Sequence, residues 1–161
     1  MIYILIVLSF FLEASITNVV NINTLFTPLF FITSLAILYP YFKNKVNFII
    51  ICIICGFFYD IAFMDSAFIN TISFGICSYF IIMCYGYFNY SIYSSNLINI
   101  FNIIVYRIIS YILLVIVDYV NFDGFSLLEG IYNSILLNII YGIFIYLIAT
   151  MLSKIFKIKK D

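Results

Sequence analysis

The 161-residue chain has no histidine and no tryptophan, only two prolines and six glycines, and 9% charged residues. Each shortage closes a route. Without histidine there is no ordinary Ser-His or Cys-His nucleophile. A soluble domain carries about a quarter charged residues and is nearer half apolar; here 66% of residues are hydrophobic. That surplus cannot be hidden in a soluble core of this size, so the solvent is lipid. Neither sign of charge is in excess, with seven Lys+Arg and seven Asp+Glu. Bulk charge therefore points to no nucleic acid and no acidic substrate. The length suggests one domain, and no internal repeat is present.

What is there is a series of apolar runs. A spanning helix needs about 20 mostly apolar residues. Six segments approach that: 1–20, 26–42, 46–64, 68–88, 97–119 and 127–152. The breaks between them are polar or turn-forming: "NINT" at 21–24, "KNK" at 43–45 after Pro40, "NYSIYSSN" at 89–96 and "NFDGF" at 121–125. The first run lacks a basic segment before it and a small-residue cleavage site after it, so it reads as a retained helix, not a signal peptide. The expected fold class is all-α, a polytopic membrane bundle of about six helices. Residues 1–153 form the transmembrane domain and 154–161 a short basic tail.

Charge sets the orientation. Lys43 and Lys45 lie between the second and third spans, and Lys154, Lys157, Lys159 and Lys160 follow the sixth. With six spans these places share one side, which the positive-inside rule makes cytoplasmic, with both termini. Asp65, Asp118, Asp123 and Glu129 gather on the other. Tyr39, Tyr41, Tyr85, Tyr87, Tyr90 and Tyr93 fall near expected helix edges, which suits an interfacial aromatic belt made without tryptophan.

Three ionisable residues fall inside spans: Glu13, Asp60 and Arg107. Such groups face the bundle interior or pair with one another. Two arrangements are open. Arg107 pairs with Asp60 or Glu13 between helices, or the carboxylates snorkel outward while Arg107 packs against backbone carbonyls. Asp65 reads as a loop residue. Three stripes recur at helical spacing: Gly130, Ser134, Asn138 and Gly142; Cys52, Gly56 and Asp60; Asn102, Tyr106 and Ser110. Small residues let helices approach closely in lipid, and polar ones hydrogen-bond across.

Catalytic and metal readings are weak. "CIIC" at 52–55 lies inside a span, and Cys52, Cys55, Cys77 and Cys84 have poor spacing for zinc, so packing is their expected role. Tyr59-Asp60 resembles the "YD" of intramembrane aspartyl proteases, but no "GxGD" element accompanies it. One carboxylate cannot run paired-acid chemistry. No catalytic residue, cofactor or metal is expected.

Three stretches stand out together: "GFFYDIAFMDSAF", with Gly56 and Asp60 four apart; "LLNIIYGIFIYLIATMLSKIF", with Asn138; and "TPLFFITSLAILYPYFKNK", with Pro28 near its start. In that order they resemble the Gly-x-x-x-Asp, the final helix and the second helix of the MreD family of small bacterial inner-membrane proteins of the cell-elongation machinery. The likeness spans nearly the whole chain. Two features depart from the family: Asp65-Ser66-Ala67 replaces a Gly/Pro-containing loop, and no proline precedes Asn138. The resemblance implies a non-catalytic scaffold in the bacterial cytoplasmic membrane. It would work with an MreC-like bitopic protein, a RodA-like glycosyltransferase and a class B penicillin-binding protein, and indirectly with MreB, to couple filaments to sidewall peptidoglycan synthesis. Glu13, Gly56, Asp60, Arg107, Gly130, Ser134, Asn138 and Gly142 are the expected structural and interaction residues. The alternative is the substrate-binding membrane subunit of an energy-coupling-factor vitamin transporter, against which helix one offers only Ala14 where an Ala-x-x-x-Ala motif is usual.

Overall fold

Six helices follow one another along the chain: α1 (Ile2–Val19), α2 (Phe30–Leu38), α3 (Lys45–Phe63), α4 (Ile69–Tyr87), α5 (Ile92–Ile116) and α6 (Gly124–Ile155). The computed structural model describes residues 2–19, 27–63 and 68–155. Asp65, the 21–24 turn and Lys157, Lys159 and Lys160 lie outside the described residues. Among those described the chain is an all-α bundle. Four helices, α3 to α6, are long and apolar enough to cross a membrane, and α1 and α2 are shorter apolar helices.

The second span is where the fold departs most from the hydropathy reading. Its α-helix has only nine residues, all of them buried. At about 1.5 Å per residue that is roughly half the hydrocarbon thickness. Both ends have a proline nearby. Pro28 biases Thr27 away from helical backbone, and residues 27–29 are non-helical. Pro40 sits in a short 3-10 turn, Tyr39–Tyr41, that ends the segment. A helix apolar on all sides belongs in a core, and α2 packs against α1, α4, α5 and α6.

The fifth helix starts five residues before its expected edge. Ser91 caps it: its side chain accepts from the Ser94 amide, while the Ser94 hydroxyl accepts from the Ser91 amide. This reciprocal pair turns a serine-rich stretch that looks like a loop into a helix start. At the other end of the chain, α6 runs 32 residues, about 48 Å, and carries Lys154 within its last turn. The helix therefore continues past the expected boundary at residue 153.

Aromatic pairs gather four parts of the chain at one end. Tyr3 meets Phe42, Tyr39 meets Tyr85, Tyr41 meets Tyr90, and Tyr90 meets Tyr146, with ring centroids 5.9, 5.4, 5.7 and 4.9 Å apart. The start of α1, the α2–α3 turn, the α4–α5 turn and the last third of α6 thus share a side. Lys43, Lys45 and Lys154 are there, exposed. Asp118, Asp123 and Glu129 are exposed at the opposite end. Of the six tyrosines expected in an interfacial belt, Tyr87 and Tyr93 stand 83% and 86% exposed, whereas Tyr41 is buried and Tyr39, Tyr85 and Tyr90 are half-buried against the core, so those four pack the bundle end instead.

Candidate functional site: a buried polar clamp

A helix that begins inside a bundle has amide groups that no water can reach, and each must find a partner. The sequence Thr27-Pro28-Leu29 gives α2 no capping side chain of its own. Other helices supply the partners. From α6, Asn138 Oδ1 accepts the Leu29 amide at 2.9 Å, and Nδ2 donates to the Thr27 carbonyl at 3.1 Å and the Ser134 carbonyl at 2.5 Å. From α1, Glu13 Oε2 accepts the Phe31 amide at 2.8 Å. Its other oxygen, Oε1, accepts the Tyr59 hydroxyl of α3 at 2.5 Å. Negative charge at a helix N-terminus also suits the helix dipole. Glu13 is completely buried, so it does not snorkel.

Arg107 reaches the same segment from α5. Its Nε donates to Ser134 Oγ at 2.9 Å and its Nη2 to Thr27 Oγ1 at 2.6 Å, and those two hydroxyls share a hydrogen bond of 2.6 Å. Neither of the two arrangements open for Arg107 is found among the described residues: it makes no ion pair with Asp60 or Glu13, the carboxylates do not snorkel, and its Nε and Nη2 go to side-chain hydroxyls, not backbone carbonyls. One turn along the bundle the polar layer continues. Ser9 and Ser34 share a hydrogen bond, and Tyr141 donates to Ser9 at 2.7 Å.

Asp60 has a different task from pairing. It is 4% exposed and caps the start of α4 from the end of α3. Its Oδ1 accepts the Asn70 amide at 2.8 Å, and Oδ2 accepts the Thr71 amide at 2.9 Å and the Thr71 hydroxyl at 2.7 Å. The residue before α4, Phe68, lies at φ 74° and supplies no cap. Gly56, one turn before Asp60, makes this possible. A Cβ there would lie 2.6 Å from the Asn70 carbonyl oxygen and 2.7 Å from Thr71 Cα. The backbone of α4 passes directly over Gly56, which brings its first amides to the Asp60 carboxylate. Asn70 then links onward: the Tyr106 hydroxyl of α5 donates to its Oδ1 at 2.7 Å.

The helix-six stripe divides. Ser134, Asn138 and Gly142 face the interior. A Cβ on Gly142 would meet Asn96 Oδ1 at 2.7 Å and Ile37 Cδ1 at 3.0 Å. Gly130 is the exception, since nothing lies within 4 Å of a Cβ built there. Asn102, Tyr106 and Ser110 are all buried on α5, and Cys52 and Cys77 are buried free thiols in the core.

Sequence reasoning missed Ser9, Thr27, Tyr59, Tyr141, Asn70 and Thr71. Ser9 and Glu13 are four apart on α1, a spacing that places both on one face, so a signal was present there. The partners of Asp60 left no such signal, because backbone amides supply two of its three hydrogen bonds.

The arrangement places the two buried carboxylates at two different helix starts. Among the described residues no group of three His, Cys, Asp or Glu side chains is placed to hold a metal ion. Comparison with protein-family models, with curated proteins and with solved structures finds no match.

Proposed function

We propose that this chain is a non-catalytic membrane scaffold, similar in role to MreD proteins of the bacterial cell-elongation complex. The observation that carries the reading is the use of its charge. Glu13 and Asp60 spend their oxygens on helix starts and a tyrosine or threonine hydroxyl, and Arg107 spends donors on Thr27 and Ser134. Polar chemistry fixes the shape of the bundle, and the outer faces of α1 and α6 between the charged ends are left apolar. Ile4, Phe11, Leu136, Ile140, Phe144 and Met151 are all more than half exposed on α1 and α6, as lipid or partner helices require.

Against a vitamin-binding subunit stands the first helix, which offers only Ala14 where an Ala-x-x-x-Ala motif is usual. The test is capture from native membranes. A tagged chain should recover an MreC-like protein and a class B penicillin-binding protein, and its depletion should round rod-shaped cells. Recovery of a transport ATPase instead would overturn the proposal.

A further inference from the structure

A cavity lies at the lysine end, outside the clamp. It has a volume of about 380 Å³ and is open on one side. The walls come from the 3-10 turn after α2, the first residue of α3, the last turn of α4 and the α4–α5 turn. Tyr39, Tyr85 and Tyr90 contribute aromatic surface, Ile82 and Phe88 aliphatic and aromatic surface, and Lys45 and Asn89 polar groups. These elements are helix ends, so the cavity sits at the depth of lipid headgroups.

Charge at this end has one sign. The described ionisable side chains with exposed charge here are Lys43, Lys45 and Lys154. The exposed acids Asp118, Asp123 and Glu129 are at the far end, and Glu13 and Asp60 are committed to the starts of α2 and α4. An apolar and aromatic wall with a lysine on its rim matches a molecule whose anionic head adjoins hydrocarbon. Basic pockets between transmembrane helices take such headgroups. Gly86 lines the cavity, and a Cβ built there would have nothing within 4 Å, so a larger side chain has room at this position.

We propose that this cavity seats the phosphate headgroup and first acyl carbons of an anionic phospholipid, with Lys45 as the countercharge. The occupant is a membrane lipid and not a soluble phosphate. Lipid binding is read separately from partner capture, so failure of one leaves the other standing.

The experiment uses the full chain in detergent, titrated with phosphatidylglycerol, phosphatidylcholine or inorganic phosphate and read by native mass spectrometry. Phosphatidylglycerol should bind about fivefold more tightly than phosphatidylcholine, since one lysine near an anionic lipid is worth about that factor. Lys45→Gln should remove the preference. Gly86→Phe, which fills the cavity and leaves every charge in place, should remove it as well. Lys43→Gln, which does not line the cavity, should keep it. Lys45 is exposed and its variant has no packing to lose, so the result does not depend on the fold of the Gly86 variant. Equal loss from Lys43→Gln and Lys45→Gln with none from Gly86→Phe would mean surface attraction alone and overturn the site. Displacement of the lipid by inorganic phosphate would overturn the lipid as occupant. Absence of any headgroup preference would overturn both.

Discussion

Glu13 and Arg107, opposite charges inside one bundle, do not touch; they grip the two ends of the same five-residue segment. Glu13 takes the amide of Phe31, and Arg107 takes the hydroxyl of Thr27. Asn138 holds the middle at Leu29. Their coupling therefore runs through the position of the α2 start. A double-mutant cycle separates direct from indirect contact. Arg107→Gln with Asp60→Asn should be additive within about 0.5 kcal/mol, because the two share no partner. Arg107→Gln with Ser134→Ala should show coupling of about 0.5–3 kcal/mol in unfolding free energy. Coupling of Arg107 to Asp60 as strong as that to Ser134 would restore the direct pair.

Much of this bundle is legible in the sequence, and the limits have physical causes. Hydropathy finds the six segments because lipid requires long apolar runs. It overestimates α2, since it averages Thr27-Pro28-Leu29 and the Tyr39–Tyr41 turn together with the nine residues that are helical and cannot see the backbone change at the two prolines. It starts α5 too late, because Ser91 and Ser94 read as loop residues until their reciprocal cap is seen. Asp60 and Glu13 stand out as interior groups, and Arg107 proves half-buried. Their partners do not, because a charge in a span invites a search for the opposite charge, whereas two of these three bind backbone amides. Gly56 and Asp60 belong together, as the spacing suggests, but the helix they receive is the next one in the chain.

The glycines divide by what lies above them. Gly56→Ala should be strongly destabilising, since the new methyl meets backbone at 2.6 and 2.7 Å. Neither atom can swing away, and overpacking of this kind costs about 1–3 kcal/mol or more. Gly142→Ala should also destabilise, by less, because Asn96 and Ile37 side chains can give way. Gly130→Ala should be neutral or slightly favourable, since helix propensity improves and no atom is near. Ser134→Leu should be harmful and Ile135→Leu mild. Melting temperature in detergent ranks the five, and a Gly130 variant as damaged as Gly56→Ala would refute the division.

The charge asymmetry predicts topology. In a background without Cys52, Cys55, Cys77 and Cys84, a cysteine at Asn121 should react with a membrane-impermeant reagent added to intact cells. A cysteine at Lys43 should react only after the membrane is opened. The reverse pattern would place the lysine end outside and invert the bundle.

The most informative substitutions are at Glu13, because they separate hydrogen bonding from charge. Glu13→Ala removes the acceptor of the Phe31 amide and of the Tyr59 hydroxyl in a site with no water access. Each buried group left without a partner costs about 1–3 kcal/mol, so the variant should melt early or fail to accumulate. Glu13→Gln keeps an acceptor for Phe31, and its amide can donate to a Tyr59 hydroxyl that has turned to accept. If hydrogen bonds hold the α2 start, Gln should recover most of the stability lost in Ala. If the negative charge itself matters, through the helix dipole and the Arg107 cation beyond Thr27, Gln should remain close to Ala. Asn138→Asp sharpens the choice: it keeps the Leu29 acceptor, loses both donated bonds and adds charge, and should be at least as damaging as Asn138→Ala. A full rescue by Gln together with a damaging Asp at 138 identifies the clamp as a hydrogen-bond device. A failed rescue would identify it as an electrostatic one.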